Sequence, residues 1–160
     1  MQKISIDDIA PGTFDTEIHA DRRSLSDPLN TSDVAITYYV LDPGERFSGS
    51  VHTHMDQEEV FLILEGTATF DLREGEIRVS KNEAIRFAPG EFQSGKNDSN
   101  SEVIAFALGA PPDSEDVRIS RIPVLDDRVV ACPECSHADM QIAPEGGLVC
   151  PECGAELVVE

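Results

Sequence analysis

The sequence predicts an all-β fold, followed at the C-terminus by a small module that a metal ion holds together. Many short β-branched or aromatic segments lie between closely spaced turn residues, and no segment has a convincing helical period. This pattern is typical of a β-barrel or a β-sandwich. All four cysteines lie near the C-terminus and indicate a second module. We therefore predict a barrel domain over residues 1–125 and a smaller module over residues 126–160.

The composition indicates an acidic globular protein. The chain has 160 residues, of which 40% are hydrophobic, enough for one core and a small appendage. Its 31 acidic residues against 12 basic ones give a formal charge of −19, which disfavours nucleic acid and anionic membranes as partners. Residues 1–12 lack a signal-peptide pattern and no apolar run has membrane-spanning length, so a soluble, cytoplasmic protein is expected.

Arginine outnumbers lysine among the basic residues, since only Lys3, Lys81 and Lys96 are lysines. Abundant, scattered acidic residues with few lysines resemble the composition of proteins from salt-loving archaea. Molar salt shrinks the Debye length to about 3 Å, so the self-repulsion of such a chain is then tolerated. A halophilic source is the first interpretation, and an acidic protein of a mesophile is the alternative.

The predicted strands follow one another through most of the chain. The β-branched and aromatic segment 34–41 and the wholly apolar segment 60–64 are the clearest. Residues 24–33 and 110–116 are predicted as loops because turn formers and prolines are dense there. Residues 117–125 are predicted to return to the barrel as an edge strand. The other predicted strands are a histidine-bearing segment around 52–54, then 67–72, 76–80, 83–88 and 102–108.

A candidate metal site lies within residues 49–66. His52 and His54 are one residue apart, and side chains at i and i+2 of a strand point to the same side. Glu59 opens the apolar strand that follows, where a carboxylate is costly unless a cation compensates it. Two imidazoles and one carboxylate with open positions form a known mononuclear metal arrangement. These three residues are therefore predicted to bind one divalent metal ion.

The same segment resembles the first conserved motif of the cupin superfamily. A second cupin-like motif follows at residues 82–97, with Gly90 and Asn97 in register. The resemblance implies a double-stranded β-helix, which is the jelly-roll barrel of cupins. It also implies iron, manganese, nickel or zinc as the barrel metal. The residues that match the first motif are His52, His54, Glu59 and Gly66, with Pro43 and Gly44 upstream.

One position departs from the cupin pattern in a way that bears on the metal. Where the family commonly supplies a third histidine, this chain has Gln93. An amide oxygen is a weaker ligand than an imidazole, so Gln93 either binds the metal loosely or hydrogen-bonds to a ligand. In the second case three strong ligands remain, which resembles the facial triad of non-haem iron oxygenases.

The four cysteines form two Cys-x-x-Cys pairs separated by fourteen residues. This spacing is typical of a structural zinc site, and about 30 residues cannot hold a core without a metal. The segment looks like a zinc ribbon, similar to those of archaeal transcription factors B. A rubredoxin-like iron site, which would pass single electrons, is the alternative. The predicted ligands are Cys132, Cys135, Cys150 and Cys153.

Two functions follow from these sites, and both stay open. In the first, the barrel metal binds a small-molecule substrate as part of a dioxygenase, isomerase or decarboxylase. In the second, the barrel senses a ligand or metal without catalysis and the zinc ribbon docks a partner protein. A narrower idea gives iron to both sites, with electrons passing between them. The resemblance also implies a homodimer, with residues 1–9 as a candidate exchanged strand.

Overall fold

A computed structural model describes residues 1–13, 17–19 and 21–157 and shows an almost purely β protein. Its only helical elements among these residues are a single 3₁₀ turn at Ile6–Asp8 and the short helix α1 at Ser26–Leu29. No helix in this part of the chain has the length and apolar character needed to cross a membrane. The strands are β1 (Asp21–Ser24), β2 (Ala35–Leu41), β3 (Val51–His54), β4 (Glu58–Glu65), β5 (Thr67–Leu72), β6 (Glu76–Ser80), β7 (Ala84–Phe87), β8 (Gln93–Lys96), β9 (Val103–Ala110), β10 (Val117–Ile122), β11 (Arg128–Val129), β12 (Met140–Ile142), β13 (Leu148–Val149) and β14 (Glu156–Leu157).

Two antiparallel sheets build the fold. One sheet has the order β1-β2-β9-β4-β7, and the other has the order β14-β13-β12-β10-β3-β8-β5-β6, with β11 paired to β10. Neighbours in space are often distant in sequence, as in β2 with β9 and β3 with β10, which is the mark of a jelly roll. The predicted all-β barrel is therefore confirmed.

The barrel core consists mainly of aromatic rings from both sheets. Phe61 lies 5.0 Å from Phe70 and 5.1 Å from Phe47, measured between ring centroids. Phe87 and Tyr39 extend this cluster toward the two sides of the barrel. Such tilted and edge-on contacts stabilise a core beyond simple burial of apolar area. The barrel core is therefore largely aromatic.

Strand β4 ends as the sequence predicts. It runs to Glu65, and Gly66 follows with a φ of 76°, a left-handed conformation that favours glycine. A Cβ at this position would also lie 3.2 Å from the Val103 Cα. The glycine is required here both for its backbone angle and for the close approach of β9.

Four sequence predictions differ from the structure. Strands β1, β8 and β12 are absent from the predicted set, and the predicted loop 24–33 contains α1. Residues 1–9, a candidate exchanged strand, hold the 3₁₀ turn, whose Ile6 carbonyl accepts a hydrogen bond from Arg23 at 2.9 Å. Strand β10 does return to the barrel, but it is not an edge, because β12 pairs with its outer side.

The C-terminal module has a small cluster of buried residues of its own. Val130, Met140 and Leu148 are buried beside the cysteines, and Ile119 and Ile122 of β10 pack against them. The module also meets the barrel through a salt bridge between Arg73 and Asp139. The sequence also predicts short hairpin segments beside the cysteine pairs, at residues 129–131, 146–149 and 157–159, of which 158 and 159 lie outside the described residues.

Candidate metal centres

The barrel metal candidate is built from two strands that face each other. Val51 and Thr53 are buried on one face of β3, so His52 and His54 alternate to the opposite face. Glu59 stands near the start of β4 in the other sheet. One ligand atom from each of the two histidines and the glutamate lies within 4.8 Å of the others. His54 Nε2 is 3.7 Å from Glu59 Oε2.

Hydrogen bonding leaves one nitrogen of His52 available to a metal. Its Nδ1 lies 3.0 Å from the Ser50 carbonyl oxygen. A carbonyl can only accept, so Nδ1 carries the proton and Nε2 keeps its lone pair. The same backbone contact fixes the ring orientation, as is common for metal-binding histidines.

In His54 it is burial, and not a hydrogen bond, that favours the neutral form of the ring. Burial lowers the pKa of His54, against the opposing effect of the Glu59 carboxylate. A lower pKa keeps the imidazole unprotonated near neutral pH, which is the form that binds metals. Its Nδ1 is buried and has no hydrogen-bond partner among the described residues.

Gln93 stands opposite His52 in the pairing of β3 with β8. Its Nε2 donates a hydrogen bond to Glu59 Oε2 at 3.0 Å, so the amide orients the carboxylate. Its Oε1 is buried and lacks a partner in the described part of the chain. A buried acceptor without a partner is costly, and a bound cation or water would satisfy it. Two imidazoles, a carboxylate and this free oxygen fit a divalent metal.

A pocket of about 270 Å³ opens beside the candidate centre, and His54 and Glu59 line one part of it. Arg22, Tyr39 and Gln57 line other parts. Gly109 lies in the pocket wall, and a Cβ there would be 2.8 Å from Gln57 Nε2. The pocket is therefore small, polar and reachable from the metal-binding atoms.

The loop between β9 and β10 forms one wall of this pocket. Gln57 Nε2 donates to the Pro111 carbonyl at 2.7 Å, and the Glu115 amide donates to Asp56 at 2.7 Å. Ser114 also hydrogen-bonds to Asp56. These contacts hold the loop against the turn that joins β3 to β4.

A second, larger cavity of about 500 Å³ lies between the free edges of β6 and β7. Leu72, Ile77 and Ile85 give it an apolar wall, and Phe92 completes one side. The Arg73 guanidinium stacks on Phe92 at 3.8 Å from the ring centroid. None of the three candidate metal ligands lines this cavity, so the polar pocket is the one associated with the centre.

The four predicted cysteines come together in the C-terminal module. The sulfurs of Cys132 and Cys153 are 3.5 Å apart, and those of Cys135 and Cys150 are 3.6 Å apart. A disulfide would bring two sulfurs to about 2.05 Å, so none is formed. Thiolates 2.3 Å from a tetrahedral ion lie about 3.8 Å from one another, close to the spacing seen here.

Backbone amides set the ionisation of the cysteine cluster. The N–H groups of Cys135 and Glu134 each point at the Cys132 sulfur at 3.4 Å and lower the pKa of Cys132 to about 6. The His137 amide lowers the pKa of Cys135. The side-chain hydrogen bond between Cys135 and Cys132 and the partial desolvation of the Cys135 thiol outweigh this effect and raise the pKa to about 12. One thiolate thus forms readily, whereas Cys135 and Cys153, whose pKa values are raised, need a cation to ionise.

Sequence reasoning missed the residues at the far side of the polar pocket. Arg22 lies in a segment where no strand is predicted, and Gln57 belongs to a turn. Tyr39 falls within a predicted strand and also belongs to the aromatic core. Gln57 lies within the first motif but is not one of its matching residues, and no motif surrounds Arg22 or Tyr39, so only the fold brings these two to the candidate centre.

Comparisons with known proteins agree with this architecture. Residues 37–109 match the family described as the cupin domain. No curated protein matches the chain in sequence.

Solved structures with the same fold extend the likeness beyond the matched domain. A sugar phosphate isomerase of the cupin superfamily from Silicibacter pomeroyi is 17% identical, with a TM-score of 0.68 over 98% of this chain and 97% of that one. A putative sugar phosphate isomerase from Acidithiobacillus ferrooxidans is 16% identical, with a TM-score of 0.61 over 88% and 81% of the two chains.

A Klebsiella pneumoniae protein with a double-stranded β-helix domain is 16% identical, with a TM-score of 0.56 over 71% and 93% of the two chains. Identities this low establish a shared fold and no more. Together with the family match over residues 37–109 and the observed strand order, they show that this part of the chain has the cupin double-stranded β-helix fold and that a cysteine-rich module follows it.

Proposed function

We propose that the barrel binds one divalent metal ion on His52, His54 and Glu59 and that a small molecule binds beside it. The convergence of three ligand atoms within 4.8 Å at a polar pocket carries this proposal. Gln93 would hold Glu59 in position through its amide nitrogen. A bound divalent ion supplies Lewis-acid polarisation of a ligand oxygen or, with iron, activation of O₂.

The reaction class we propose is metal-dependent isomerisation or oxygenation of an oxygenated small molecule. Isomerisation comes first because the Silicibacter pomeroyi protein, which has the same fold over nearly the whole chain, is a sugar phosphate isomerase. This proposal is supported by the shared fold and by the coordination positions that three protein ligands leave free on a metal ion. The substrate is still to be identified.

The C-terminal module is proposed to hold a structural zinc ion on its four cysteines. Two of those cysteines, Cys132 and Cys150, are part of the module's buried core together with Met140. A metal is therefore proposed to complete a core too small to fold unaided. The proposed division at residue 125 is supported by the position of every cysteine after it, although β10 packs on both units.

Metal analysis by mass spectrometry tests both centres at once. Wild-type protein, purified without chelator or nickel affinity resin, would be compared with His52→Ala and Cys132→Ser. We expect two metal ions per chain in the wild type, loss of the barrel ion alone in His52→Ala, and loss of the zinc ion in Cys132→Ser. Full metal stoichiometry in His52→Ala would refute the barrel site.

The same metal measurement distinguishes zinc from iron at the four cysteines. Zinc that disappears with Cys132→Ser supports a structural ribbon. Iron that disappears from both variants would instead favour electron transfer between the two sites. One zinc per chain in every form except Cys132→Ser would favour the non-catalytic, ligand-sensing function.

A further inference from the structure

We propose that Arg22 is the anion-binding residue of the polar pocket, held in place by Tyr39, so that the ligand is a small carboxylate or phosphate. The inference rests on the proposed function, because it takes the barrel metal centre as the other contact of the ligand. Arg22, His54 and Glu59 line the same pocket of about 270 Å³.

The fold directs Arg22 toward the barrel interior. Arg22 of β1 stands opposite Tyr39 of β2 in an antiparallel pair, and directly opposed residues point to the same side of a sheet. Tyr39 is buried in the aromatic core. The Arg22 side chain therefore enters the barrel from the same face as the core residues.

A hydrogen bond fixes the guanidinium and leaves one of its edges free. Arg22 Nε donates to the Tyr39 hydroxyl at 3.0 Å, and the guanidinium carbon lies 5.8 Å from the ring centroid. Among the described residues, the two terminal nitrogens of Arg22 have no hydrogen-bond partner. That terminal edge has the geometry that binds a carboxylate or phosphate through two parallel hydrogen bonds.

The charge environment makes Arg22 unusual in this chain. Acidic residues outnumber basic ones by 31 to 12, and the adjacent Arg23 is paired with Asp21 at 2.7 Å. The described arginines without a carboxylate within 4.0 Å are Arg22, Arg78 and Arg128, of which only Arg22 is partly buried. The other six, each with a carboxylate partner, are Arg23, Arg46, Arg73, Arg86, Arg118 and Arg121.

An anion from outside the chain would compensate the charge of Arg22. A cation in a partly buried pocket is costly unless an opposite charge compensates it. Asp113 also lines the pocket, but it is exposed and no ion pair joins it to Arg22. A volume of about 270 Å³ is at the low end for ligand sites, so the ligand is small.

Calorimetric titration of the manganese-loaded protein tests the proposal. The probes are inorganic phosphate and succinate, with glycerol as an uncharged comparison, in a buffer low in chloride. We expect both anions to bind the wild type, and Arg22→Met to raise their Kd by at least about tenfold. Arg22→Lys keeps the charge without the fork and should lie between the two.

The matched control is Arg78→Met, which removes the same charge from an exposed arginine that also has no carboxylate partner among the described residues. It should leave the Kd within about twofold of the wild-type value. Tyr39→Phe removes only the hydroxyl that positions Arg22 and should weaken anion binding without changing the metal content.

Metal stoichiometry, measured on every sample, separates this proposal from the proposed function. Wild-type protein that binds neither anion, or Arg22→Met protein that binds them as tightly as the wild type, would overturn the role of Arg22. If the wild-type protein holds no metal ion in the barrel after loading with manganese, the proposed metal centre is refuted. Anion binding that still depended on Arg22 in that metal-free protein would support the anion site alone.

Discussion

Ile119 of strand β10 is the antiparallel partner of His52, a candidate metal ligand on β3. On its other side Ile119 pairs with Met140 of β12, which is fully buried in the core of the cysteine module. A single strand thus separates the histidine strand from the module. Because neighbouring strands share backbone hydrogen bonds, the stability of β10 depends on its pairing with both β3 and β12.

The first prediction is that losing the cysteine metal loosens the histidine strand. Cys132→Ser should release the ion and unpack Met140, which leaves β10 without its outer partner. We expect backbone amides of β10 and β3 to exchange hydrogen at least about tenfold faster, since local opening then costs less free energy. Hydrogen–deuterium exchange with mass spectrometry would measure this.

Strand β9 serves as the internal control for that experiment, because it lies in the other sheet between β2 and β4. Its exchange should change little. If the ion is lost while β10 and β3 keep their wild-type protection, the two units are energetically independent and the prediction is wrong.

The second prediction concerns Gln93. Gln93→Leu removes the hydrogen bond to Glu59, so the carboxylate loses its orientation and metal affinity should fall by about 10- to 100-fold. Gln93→His instead places a third imidazole beside the other ligands and should tighten binding. Competition titrations with a metal-sensitive dye would measure both variants.

Gln57→Leu is the matched control, because Gln57 lines the pocket beside Glu59 but its amide donates to the Pro111 carbonyl and not to the carboxylate. Its metal affinity should stay near the wild-type value. Wild-type affinity in Gln93→Leu would show that Glu59 needs no support from the amide.

The strands that the sequence predicts best are those whose side-chain pattern matches their burial in the fold. Strand β4 is apolar throughout its centre, and its glutamate and closing glycine are visible in the sequence. Strand β8 was missed because Gln-Ser-Gly-Lys has no strand-forming character. Its Gly95 is explained only by the structure, where a Cβ would collide with the rings of Phe47 and Phe70.

The site was predictable in the same uneven way. Spacing alone brings His52 and His54 together, and the apolar run makes Glu59 conspicuous. Arg22 belongs to β1, an Asp-Arg-Arg-Ser segment whose extended form comes from pairing with β2. Such pairing is a tertiary effect that local pattern does not encode. The anion-binding residue was therefore out of reach of sequence reasoning.

The third prediction is an acid-dependent loss of stability through Asp71. Arg46 donates to Asp71 Oδ2 at 2.8 Å and Lys96 donates to Oδ1 at 2.7 Å. Burial raises the pKa of Asp71, but these two partners outweigh it and the net pKa is lowered. A carboxyl whose pKa is lower in the folded state stabilises the fold above its unfolded pKa of about 3.9.

Asp71→Asn should therefore lower the free energy of unfolding at neutral pH by about 1–3 kcal/mol. The deficit should shrink as the pH falls through the folded-state pKa of the wild-type carboxyl, because the wild type then loses the same charge. Urea unfolding at several pH values would measure it. A deficit independent of pH would contradict the electrostatic cause.

Glu76→Gln is the control for the Asp71 experiment. Glu76 Oε2 lies 3.6 Å from the same Lys96, but its side chain is 55% exposed, against 16% for Asp71. Exposed pairs contribute little, so this change should cost under about 1 kcal/mol.

The last prediction concerns salt, and two opposing effects decide its sign. Salt weakens attractive ion pairs, but the pairs at Asp71 are largely buried and are screened less than exposed charges. Salt also weakens the mutual repulsion of a chain with a formal charge of −19, most of which is spread over exposed acidic residues. The Debye length falls from about 10 Å at 0.1 M to about 3 Å at 1 M, so repulsion is relieved over this range. We therefore expect the midpoint of thermal unfolding to rise with KCl, and a midpoint that stays flat or falls would indicate a fold adapted to low salt.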